Sequence, residues 1–309
     1  MNSPSFESIP NNIDTLTYSA LSIDVEDGVN ILMRDLFNID ISPTPRVIDN
    51  VNILLDLFSE NKIRATFFIL GEIASAYPSL VRTIASYGHE IGIHGYYHDQ
   101  FFKFTPDQAR EDIYRAKALI EDVTGERIYG FRAPAFSIVE NTSWGLDVIS
   151  ELGFKYDSSI VPAKGSRYGW PRFSKEIHRL ELKSGGSLIE VPLSVINFLG
   201  RTIPACGGGY LRYFPYNFTR KAFLAIQKHR PVIVYLHPYE LDTDKYPDYF
   251  YEAMASLSLA RRIPLFFYRV NKGTVKRKLG LLIKEFPFKP IINIINDYEK
   301  RSNIPVRSL

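Results

Sequence analysis

Short apolar runs alternate with amphipathic segments along most of the chain. The runs are nearly continuous in apolar residues, which is typical of parallel strands covered on both faces. Apolar residues at helical spacing between them predict the covering helices. We therefore expect an α/β fold in which about seven strand–helix units form a closed or nearly closed barrel. The predicted strands are residues 16–23, 64–70, 90–93, 129–132, 154–157, 188–191 and 232–236.

Several predicted helices carry boundary signals of their own. The helix at residues 46–60 keeps its apolar side chains on one face. Thr105, followed by Pro106 and Gln108, predicts a helix over residues 106–123 that begins with a capping box. Further helices are predicted at residues 78–87, 142–152 and 218–228.

Three stretches lack this regularity. Residues 31–45 predict a loop with some local helix. Residues 158–186 and 192–216 are too long and irregular for plain connections, so we expect them to be binding loops. The second of these contains the sequence CGGGYLRYFPY.

Composition narrows the class of protein. The 309 residues suffice for one large domain or two smaller ones, and a hydrophobic content of 45% supports a packed core. A net charge of +3 is too weak to argue for nucleic acid, and no apolar run approaches the ~18–20 residues of a membrane span. The N-terminal residues show no secretory signal pattern, and the single cysteine allows no intrachain disulfide. Together these features favour a cytoplasmic protein.

We expect three parts along the chain: a polar leader over residues 1–15, the barrel over residues 16–271, and a basic amphipathic tail over residues 272–309. Residues 273–290 of the tail mix basic and apolar side chains. Packing of this helix on the barrel is the favoured interpretation. Peripheral contact with the anionic inner membrane surface is the alternative, and burial of the apolar face would exclude it.

Polar side chains stand at the carboxyl ends of several predicted strands. In (β/α) barrels these ends meet on one face, where the chemistry takes place. Packing does not require polar residues there, so their coincidence indicates an active site. The residues are Asp24, His94, Arg132, Asp157 and His237.

Two motifs point to a metal ion. Asp24, Glu26 and Asp27 end a buried strand, where carboxylates must be paired, neutralised or bound to a cation. His94 and His98 are spaced so that both can ligate one ion from a helical turn or a tight loop; two surface histidines are the weaker alternative. Two imidazoles and one carboxylate suit zinc or another divalent transition metal. We assign the base role to Asp24 and leave the ligand role open between Asp27 and Glu26.

The remaining candidates have structural alternatives. Arg132 could pair with Asp24 and keep that carboxylate ionised and oriented. Asp157, which two serines follow, could equally cap a turn. His237 is better placed than the other single histidines, which we take as structural or surface residues.

Taken in order, these residues closely resemble the polysaccharide deacetylases of carbohydrate esterase family 4, and most of all the subgroup encoded with exopolysaccharide and lipopolysaccharide loci. The resemblance covers roughly residues 16–241. The family usually has two adjacent aspartates before a glycine in its first motif, where this chain has Asp24-Val-Glu-Asp27-Gly28. The matching motifs are His94-x-x-x-His98, Arg132-x-Pro134-x-Phe136, Asp157-Ser158-Ser159 and Leu236-His237-Pro238, and the stretch from Gly207 to Arg212 is similar to one that marks the subgroup.

The resemblance implies a distorted (β/α)7 barrel and the hydrolysis of an N-acetyl group from an amino sugar. In that reaction a divalent metal, expected here to be zinc, polarises the amide carbonyl, Asp24 takes up the proton of water, and His237 protonates the departing amine. Arg132 completes the catalytic set. The candidate substrate-binding residues are Pro134, Phe136, Asp157, Trp170, Tyr210 and Tyr239. Aromatic residues of the loops could stack on a sugar or simply pack the loops; they are Tyr168, Trp170, Tyr210 and Tyr213.

The expected partner is an N-acetylated saccharide, either in a surface polysaccharide or in its lipid-linked precursor. Two other functions stay open. The first is a metal-independent amidohydrolase of the allantoinase-like branch, against which the intact histidine pair and the aromatic loops count. The second is a catalytically inactive carbohydrate-binding homologue, which would require a lost base or a lost metal ligand.

Overall fold

The computed structural model of the chain describes residues 18–165, 168–258, 262, 265, 268–301 and 304–309. The predicted leader, residues 1–15, lies outside the described residues. The division of the chain at residues 271 and 272 stays a prediction.

Twelve strands are formed by the described residues. They are β1 (Ser19–Val25), β2 (Thr66–Ile69), β3 (Glu90–Ile93), β4 (Gly130–Phe131), β5 (Tyr156–Asp157), β6 (His178–Glu181), β7 (Ser187–Glu190), β8 (Val195–Phe198), β9 (Arg201–Pro204), β10 (Ile233–Leu236), β11 (Phe288–Lys289) and β12 (Val306–Ser308).

Seven of these strands make the barrel. They are hydrogen-bonded in the order β10-β1-β2-β3-β4-β5-β7, and every neighbouring pair is parallel. At the junction between β7 and β10, Ser194 takes the place of strand pairing. The Ser194 hydroxyl accepts from the Ile233 amide at 2.8 Å, and the Ser194 amide donates to the Ile233 carbonyl at 3.4 Å. The predicted α/β barrel, nearly closed and distorted, is confirmed.

The other strands extend this sheet or stand apart from it. β6 pairs antiparallel with β7, β12 adds to β6, and β11 pairs with β1. β8 and β9 form a separate hairpin. The two predicted binding loops therefore contain regular structure: residues 158–186 include β6, and residues 192–216 include the hairpin.

Helices cover the barrel. They are α1 (Gly28–Phe37), α2 (Arg46–Glu60), α3 (Gly71–Ala76), α4 (Pro78–Ser86), α5 (Pro106–Thr124), α6 (Trp144–Glu151), α7 (Gly208–Tyr213), α8 (Tyr216–Gln227), α9 (Asp248–Ala255), α10 (Val275–Glu285) and α11 (Ile291–Lys300). Among the described residues, we find no helix with the length and apolar character that crossing a bilayer requires.

Side-chain caps define the starts of α5 and α1, of which only the first was predicted. The predicted capping box of α5 is present, because the Thr105 amide donates to Gln108 Oε1 at 2.9 Å and the Gln108 amide donates to Thr105 Oγ1 at 3.3 Å. The helix α1, however, occupies much of the stretch predicted as a loop. It begins directly after the first strand because Asp27 caps it, accepting from the Val29 amide at 3.0 Å.

The tail is built into the barrel. The apolar face of α10, which includes Val275, Leu279 and Leu282, is buried in the main hydrophobic core. Burial of this face was the condition for excluding contact of the tail with a membrane through that face, and the condition is met. The favoured interpretation, a helix packed on the barrel, describes the structure.

The helix α11 closes the amino-terminal end of the barrel. Glu90, the first residue of β3, accepts from the Ile292 amide at 3.0 Å and from the Tyr156 hydroxyl at 2.8 Å. Thr66 accepts from the Ile291 amide at 2.8 Å. The first amides of α11 are thus satisfied by side chains at the bottom of the barrel, which leaves the carboxyl end of the strands as the open face.

Lys278 anchors the tail to the segment near that open face. Its ammonium donates to the carbonyls of Leu211, Arg212 and Phe214 at 3.0, 3.0 and 2.9 Å. These carbonyls lie at the C-terminal end of α7, where the helix has no partners of its own for them. Lys278, which the sequence analysis counted among the basic residues of the tail, is therefore a buried side chain that caps the C-terminal end of α7.

We expect Lys278→Met to lower the stability of the protein by about 2 kcal/mol, because it leaves buried carbonyls without donors. The measurement is the midpoint of denaturant unfolding, followed by tryptophan fluorescence. Lys276→Met, at an exposed position on the same helix, is the matched control and should change stability by less than about 0.5 kcal/mol. Equal midpoints for the two variants would show that the cap contributes nothing.

Candidate active site and metal centre

The carboxyl ends of the barrel strands bring the predicted polar residues into one cluster. Asp24 lies on β1, Asp157 ends β5, and His94, Arg132 and His237 follow β3, β4 and β10. All are buried except His237, which is partly exposed. Because the strands are parallel, their carboxyl ends lie at the same end of the barrel, as the sequence predicts.

Three side chains converge in a geometry that fits a metal ion. Glu26 Oε1 lies 3.0 Å from His94 Nε2 and 3.1 Å from His98 Nε2. One ligand atom from each residue falls within 4.8 Å of the others, and all three residues are buried. Two imidazole nitrogens and one carboxylate oxygen would leave one position open on a tetrahedral ion, as in catalytic zinc sites.

The local backbone aims both histidines at this point. His94 Nδ1 lies 2.8 Å from the Arg132 carbonyl, which fixes Nδ1 as the protonated nitrogen and leaves Nε2 available to ligate a metal ion. His94 and His98 lie in a loop rather than a helix. Gly95 and His98 both adopt left-handed φ values, +79° and +64°, so the chain turns back towards the carboxylate.

Glu26, not Asp27, faces the histidines. The Asp27 carboxylate is taken up by the backbone amides of Val29 and Thr44, where it caps α1 and holds the following loop. Alternation along an extended chain explains the difference, because Asp24 and Glu26 share a face that Asp27 does not. Of the two acids that the sequence left open, the structure brings Glu26 to the histidine pair.

The histidines around Glu26 favour its ionised form, which is the form that binds a cation. Burial alone raises the pKa of Glu26, but the positive charges of His98 and His237 and hydrogen bonds from His94 and His98 hold this pKa well below its usual value. Burial lowers the pKa of His98, and the Glu26 carboxylate more than offsets this, so that it rises. A metal ion competes with these protons, since histidine binds metals as neutral imidazole.

Arg132 holds Asp24 in the centre of the barrel. One guanidinium nitrogen donates to Asp24 Oδ1 and to Ser22 Oγ, both at 2.7 Å. The other two nitrogens donate to the carbonyl and the hydroxyl of Ser158, both at 2.9 Å. The guanidinium also lies over the Phe68 ring, 4.3 Å from its centroid. Asp24 Oδ2 is left beside the cavity, 4.0 Å from His237 Nε2.

Asp157 supports this arrangement from behind. It accepts from the Ser159 hydroxyl at 2.6 Å, and Ser159 Oγ in turn accepts from the Ala133 amide at 2.7 Å. Burial raises the pKa of Asp157, whose carboxyl is hydrogen-bonded to Glu190. Asp157 is fully buried and is not among the described residues that line the cavity. The structure therefore places it as a support for the segment that carries Arg132 and not beside a substrate.

His237 lines the cavity next to Asp24. Its Nε2 lies 3.8 Å from Glu26 Oε1, and its Nδ1 lies 3.3 Å from Glu240 Oε1. Its ring stacks on Tyr239 with centroids 4.8 Å apart and planes at 9°. Burial lowers the pKa of His237, but the carboxylates of Glu26, Glu240 and Asp24 outweigh it and raise the pKa to about 9.

A cavity of about 220 Å³ opens onto these groups. Apolar and aromatic side chains form its walls, so an occupant would meet flat faces as well as the polar cluster. The lining residues are Asp24, Glu26, Ile31, Leu32, Asp35, His94, His98, Gln100, Ala135, Phe136, Tyr168, Tyr235, His237, Tyr239 and Tyr268.

The predicted substrate-binding residues divide into two sets. Phe136 and Tyr239 line the cavity. Trp170 packs against Phe173 with centroids 4.9 Å apart, and the Tyr210 hydroxyl lies 3.4 Å from that of Tyr168, behind the cavity wall. Pro134, like Trp170 and Tyr210, is not one of the described lining residues, because it is buried at the start of the turn Pro134–Phe136.

Comparison with known proteins agrees with this architecture. Residues 38–156 match the family model described as polysaccharide deacetylase, and residues 158–296 match a domain of unknown function, DUF3473. The chain contains a polysaccharide deacetylase domain. A peptidoglycan-N-acetylglucosamine deacetylase from Bacillus cereus is 28% identical over 141 residues, which cover 42% of this chain and 49% of that protein. The chain thus spans about half the length of this curated relative.

Two solved structures share the fold. A Mycobacterium smegmatis protein assigned as a polysaccharide deacetylase superposes with a TM-score of 0.65 at 20% identity, over 99% of this chain and 98% of the other. The Puue allantoinase superposes with a TM-score of 0.61 at 16% identity, over 93% and 91%. These identities support the barrel fold and leave the chemistry to the site itself.

The deacetylase match supplies only part of the site. His94, His98 and Arg132 lie within residues 38–156. Asp24 and Glu26 precede the matched residues, and His237 and most of the aromatic wall fall within residues 158–296. The cavity of the barrel is therefore built by both matched segments and by the strand before them.

Sequence reasoning missed two features of the cavity. Tyr235 and Tyr268 line it without any motif to mark them, although Tyr235 lies two residues before His237 and so on the same strand face. Packing explains glycine within residues 207–209, which the sequence analysis placed in a binding loop. A Cβ on Gly208, whose φ is +50°, would lie 2.6 Å from the Tyr235 ring, so glycine allows the loop to sit against that strand.

We expect Glu26→Gln to weaken zinc binding by at least about 10–100-fold, because it removes the negative ligand between the two histidines. The measurement is competition with a chromophoric zinc chelator. Asp27→Asn is the matched control: zinc affinity should be unchanged, while the unfolding midpoint falls because the cap on the Thr44 amide is lost. Loss of zinc affinity in Asp27→Asn alone would overturn this assignment of the ligand.

Proposed function

We propose that this protein is a metal-dependent hydrolase that removes the N-acetyl group from an amino sugar, in a surface polysaccharide or its lipid-linked precursor. The observation that carries the proposal is the pairing of two proton-transfer groups across one cavity. Asp24, fixed by Arg132, and His237 face each other beside the Glu26, His94 and His98 cluster.

Glu26, His94 and His98 would hold the metal. The mixed nitrogen and oxygen donors favour zinc among the divalent ions. When bound, such an ion supplies Lewis acidity towards the amide carbonyl and acidifies water. The remaining chemistry belongs to the side chains around it.

Asp24 acts as the general base. Arg132 neutralises one oxygen of its carboxylate at 2.7 Å and fixes the plane of the group, while Oδ2 remains beside the cavity. A carboxylate held in this way can accept the proton of the attacking water without reorienting. The new bond forms between the water oxygen and the acyl carbon.

His237 acts as the general acid. Its Nε2 lies 4.0 Å from Asp24 Oδ2 and 3.8 Å from Glu26 Oε1, so an amide bound in the cavity beside these carboxylates has its nitrogen within reach of this group. Proton transfer from Nε2 to the amide nitrogen allows the carbon–nitrogen bond to break, which releases the free amine and acetate. In the metal-free protein the carboxylates of Glu26, Glu240 and Asp24 raise the pKa of His237 to about 9, and with a metal on Glu26 the carboxylates of Glu240 and Asp24 would still favour the protonated ring.

The cavity walls support a saccharide as the substrate. Phe136, Tyr168 and Tyr239 present aromatic faces, which suit the apolar faces of sugar rings. The volume of about 220 Å³ suits a single sugar unit with its acetyl group more than a large apolar ligand. The Bacillus cereus relative is named for action on N-acetylglucosamine of peptidoglycan, which supports an N-acetylated amino sugar here.

One competing function rests on a specific observation. The Puue allantoinase shares the barrel, so a metal-independent amidohydrolase would need no change of fold. The converging histidine pair and Glu26 favour the metal-dependent reaction over it, and the intact base and ligand set favours an active enzyme over a carbohydrate-binding homologue.

We expect purified protein to release acetate from N-acetylated saccharides, and a chelator to abolish this release until zinc is restored. Asp24→Asn should lower kcat by at least about 100-fold while leaving zinc stoichiometry unchanged, because the base is lost and the metal ligands remain. The measurement is enzymatic detection of acetate over a panel of oligosaccharides and lipid-linked sugars.

Asp122→Asn, at an exposed position on α5, is the control and should behave as wild type. Release that survives complete chelation would favour the metal-independent amidohydrolase. Zinc-loaded protein that releases acetate from none of these saccharides would favour the inactive carbohydrate-binding homologue.

A further inference from the structure

We infer that Glu240 is a positioning residue that holds the His237 ring and its Nδ1 proton in place, so that Nε2 alone serves the leaving amine. The inference rests on the proposed role of His237 in deacetylation. Neither the matched motifs nor the charge pattern of the sequence singled out this glutamate.

The turn after β10 brings Glu240 to the ring. Residues Pro238–Glu240 form one 3₁₀ turn, in which the Glu240 amide donates to the His237 carbonyl at 3.0 Å. This folds the glutamate side chain back onto the histidine that precedes the turn. Glu240 Oε1 reaches His237 Nδ1 at 3.3 Å, and the residue is 1% exposed.

A stabilising role for this carboxylate does not explain its burial. Among the described residues, Glu240 Oε2 has no hydrogen-bond partner. A buried carboxylate with an unpaired oxygen opposes folding, because it loses hydration that nothing replaces. Retaining such a group is understandable where its other oxygen serves a function, as the orienting carboxylate of a histidine does.

The hydrogen bond of His237 Nδ1 determines where Nε2 of the same ring points. Only a protonated Nδ1 can donate to the Glu240 carboxylate, and this leaves Nε2 directed at Asp24 and Glu26, at 4.0 and 3.8 Å. The stacked Tyr239 ring restricts tilting of the imidazole, 4.8 Å away. Glu240 restricts its rotation.

Other carboxylates near the turn are committed elsewhere. Asp242 pairs with the Arg46 guanidinium through contacts at 3.0 and 3.1 Å. Asp157, the acid that ends β5, is hydrogen-bonded to Ser159 and Glu190. Within the described part of the chain, Glu240 is the carboxylate that contacts Nδ1 of His237.

The test compares two leaving groups. An amine must be protonated as it departs, whereas 4-nitrophenolate leaves as a stable anion and needs no acid. We expect Glu240→Gln to lower kcat for acetate release from the N-acetylated sugar by about 100-fold with KM unchanged. The same variant should hydrolyse 4-nitrophenyl acetate at the wild-type rate, with wild-type zinc content.

Two further variants separate positioning from folding. His237→Gln should show the same selective loss, and the double variant should lose no more than either single variant, since the two residues act as one unit. Asp242→Asn removes an ion pair from the same turn without touching the ring. It should lower the unfolding midpoint and leave the ratio of amide to ester hydrolysis unchanged.

A second readout does not depend on deacetylation. In protein labelled with ¹⁵N-histidine, the ring signals of His237, identified by their absence from His237→Gln, should show a hydrogen-bonded Nδ1 proton in wild type that shifts in Glu240→Gln. If wild type releases no acetate, the proposed function fails and this spectrum still tests the contact. Equal loss on amide and ester in Glu240→Gln, no loss on either, or an unshifted Nδ1 proton would overturn the inference.

Discussion

Arg132 brings a full positive charge into the centre of the barrel, where its guanidinium has no access to water and protein groups must satisfy every nitrogen. Asp24 neutralises the charge, and Ser22 and Ser158 accept the remaining hydrogen bonds. A buried ion pair of this kind is stable only if all its polar groups are hydrogen-bonded. Removing either partner leaves the other as an uncompensated buried charge. Asp24, the proposed base, is therefore positioned by the same contacts that satisfy the buried guanidinium. Asp157 belongs to this network as a support, which explains why it is buried behind the cavity.

Close packing against glycine is the second constraint on the open face of the barrel. A Cβ on Gly28 would lie 2.9 Å from the Tyr239 ring, and that ring stacks on His237. The same relation holds between Gly208 and Tyr235, where the glycine loop sits against β10. In both places the glycine has no side chain, and this allows a tyrosine ring of the cavity wall to pack directly against the backbone. These glycines act on the site without contacting it, through the rings that they allow to approach.

The parts that followed from the sequence depend on short-range or periodic rules. Apolar runs gave the strands, and the convergence of strand ends in a barrel gave the polar cluster. What did not follow depends on orientation and on long-range packing. Alternation from Asp24 favours Glu26 on the cavity side, but it holds only if the chain stays extended to that point, and the start of α1 at residue 28 was not predicted. Trp170 lies in an irregular segment whose path no periodicity specifies. Glu240 reaches His237 through a 3₁₀ turn that no periodic pattern predicts.

The division of the site between two matched segments bears on what the second segment does. Residues 38–156 hold the histidine pair and Arg132, whereas residues 158–296, which match a domain of unknown function, contribute His237, Glu240 and most of the aromatic wall. The seventh strand of the barrel, β10, also comes from the second segment and pairs with β1. Without that strand the sheet would end at β1 and expose the edge that carries Asp24. The second segment is thus not an appendage to the deacetylase domain: it completes both the barrel and the chemical groups of the cavity.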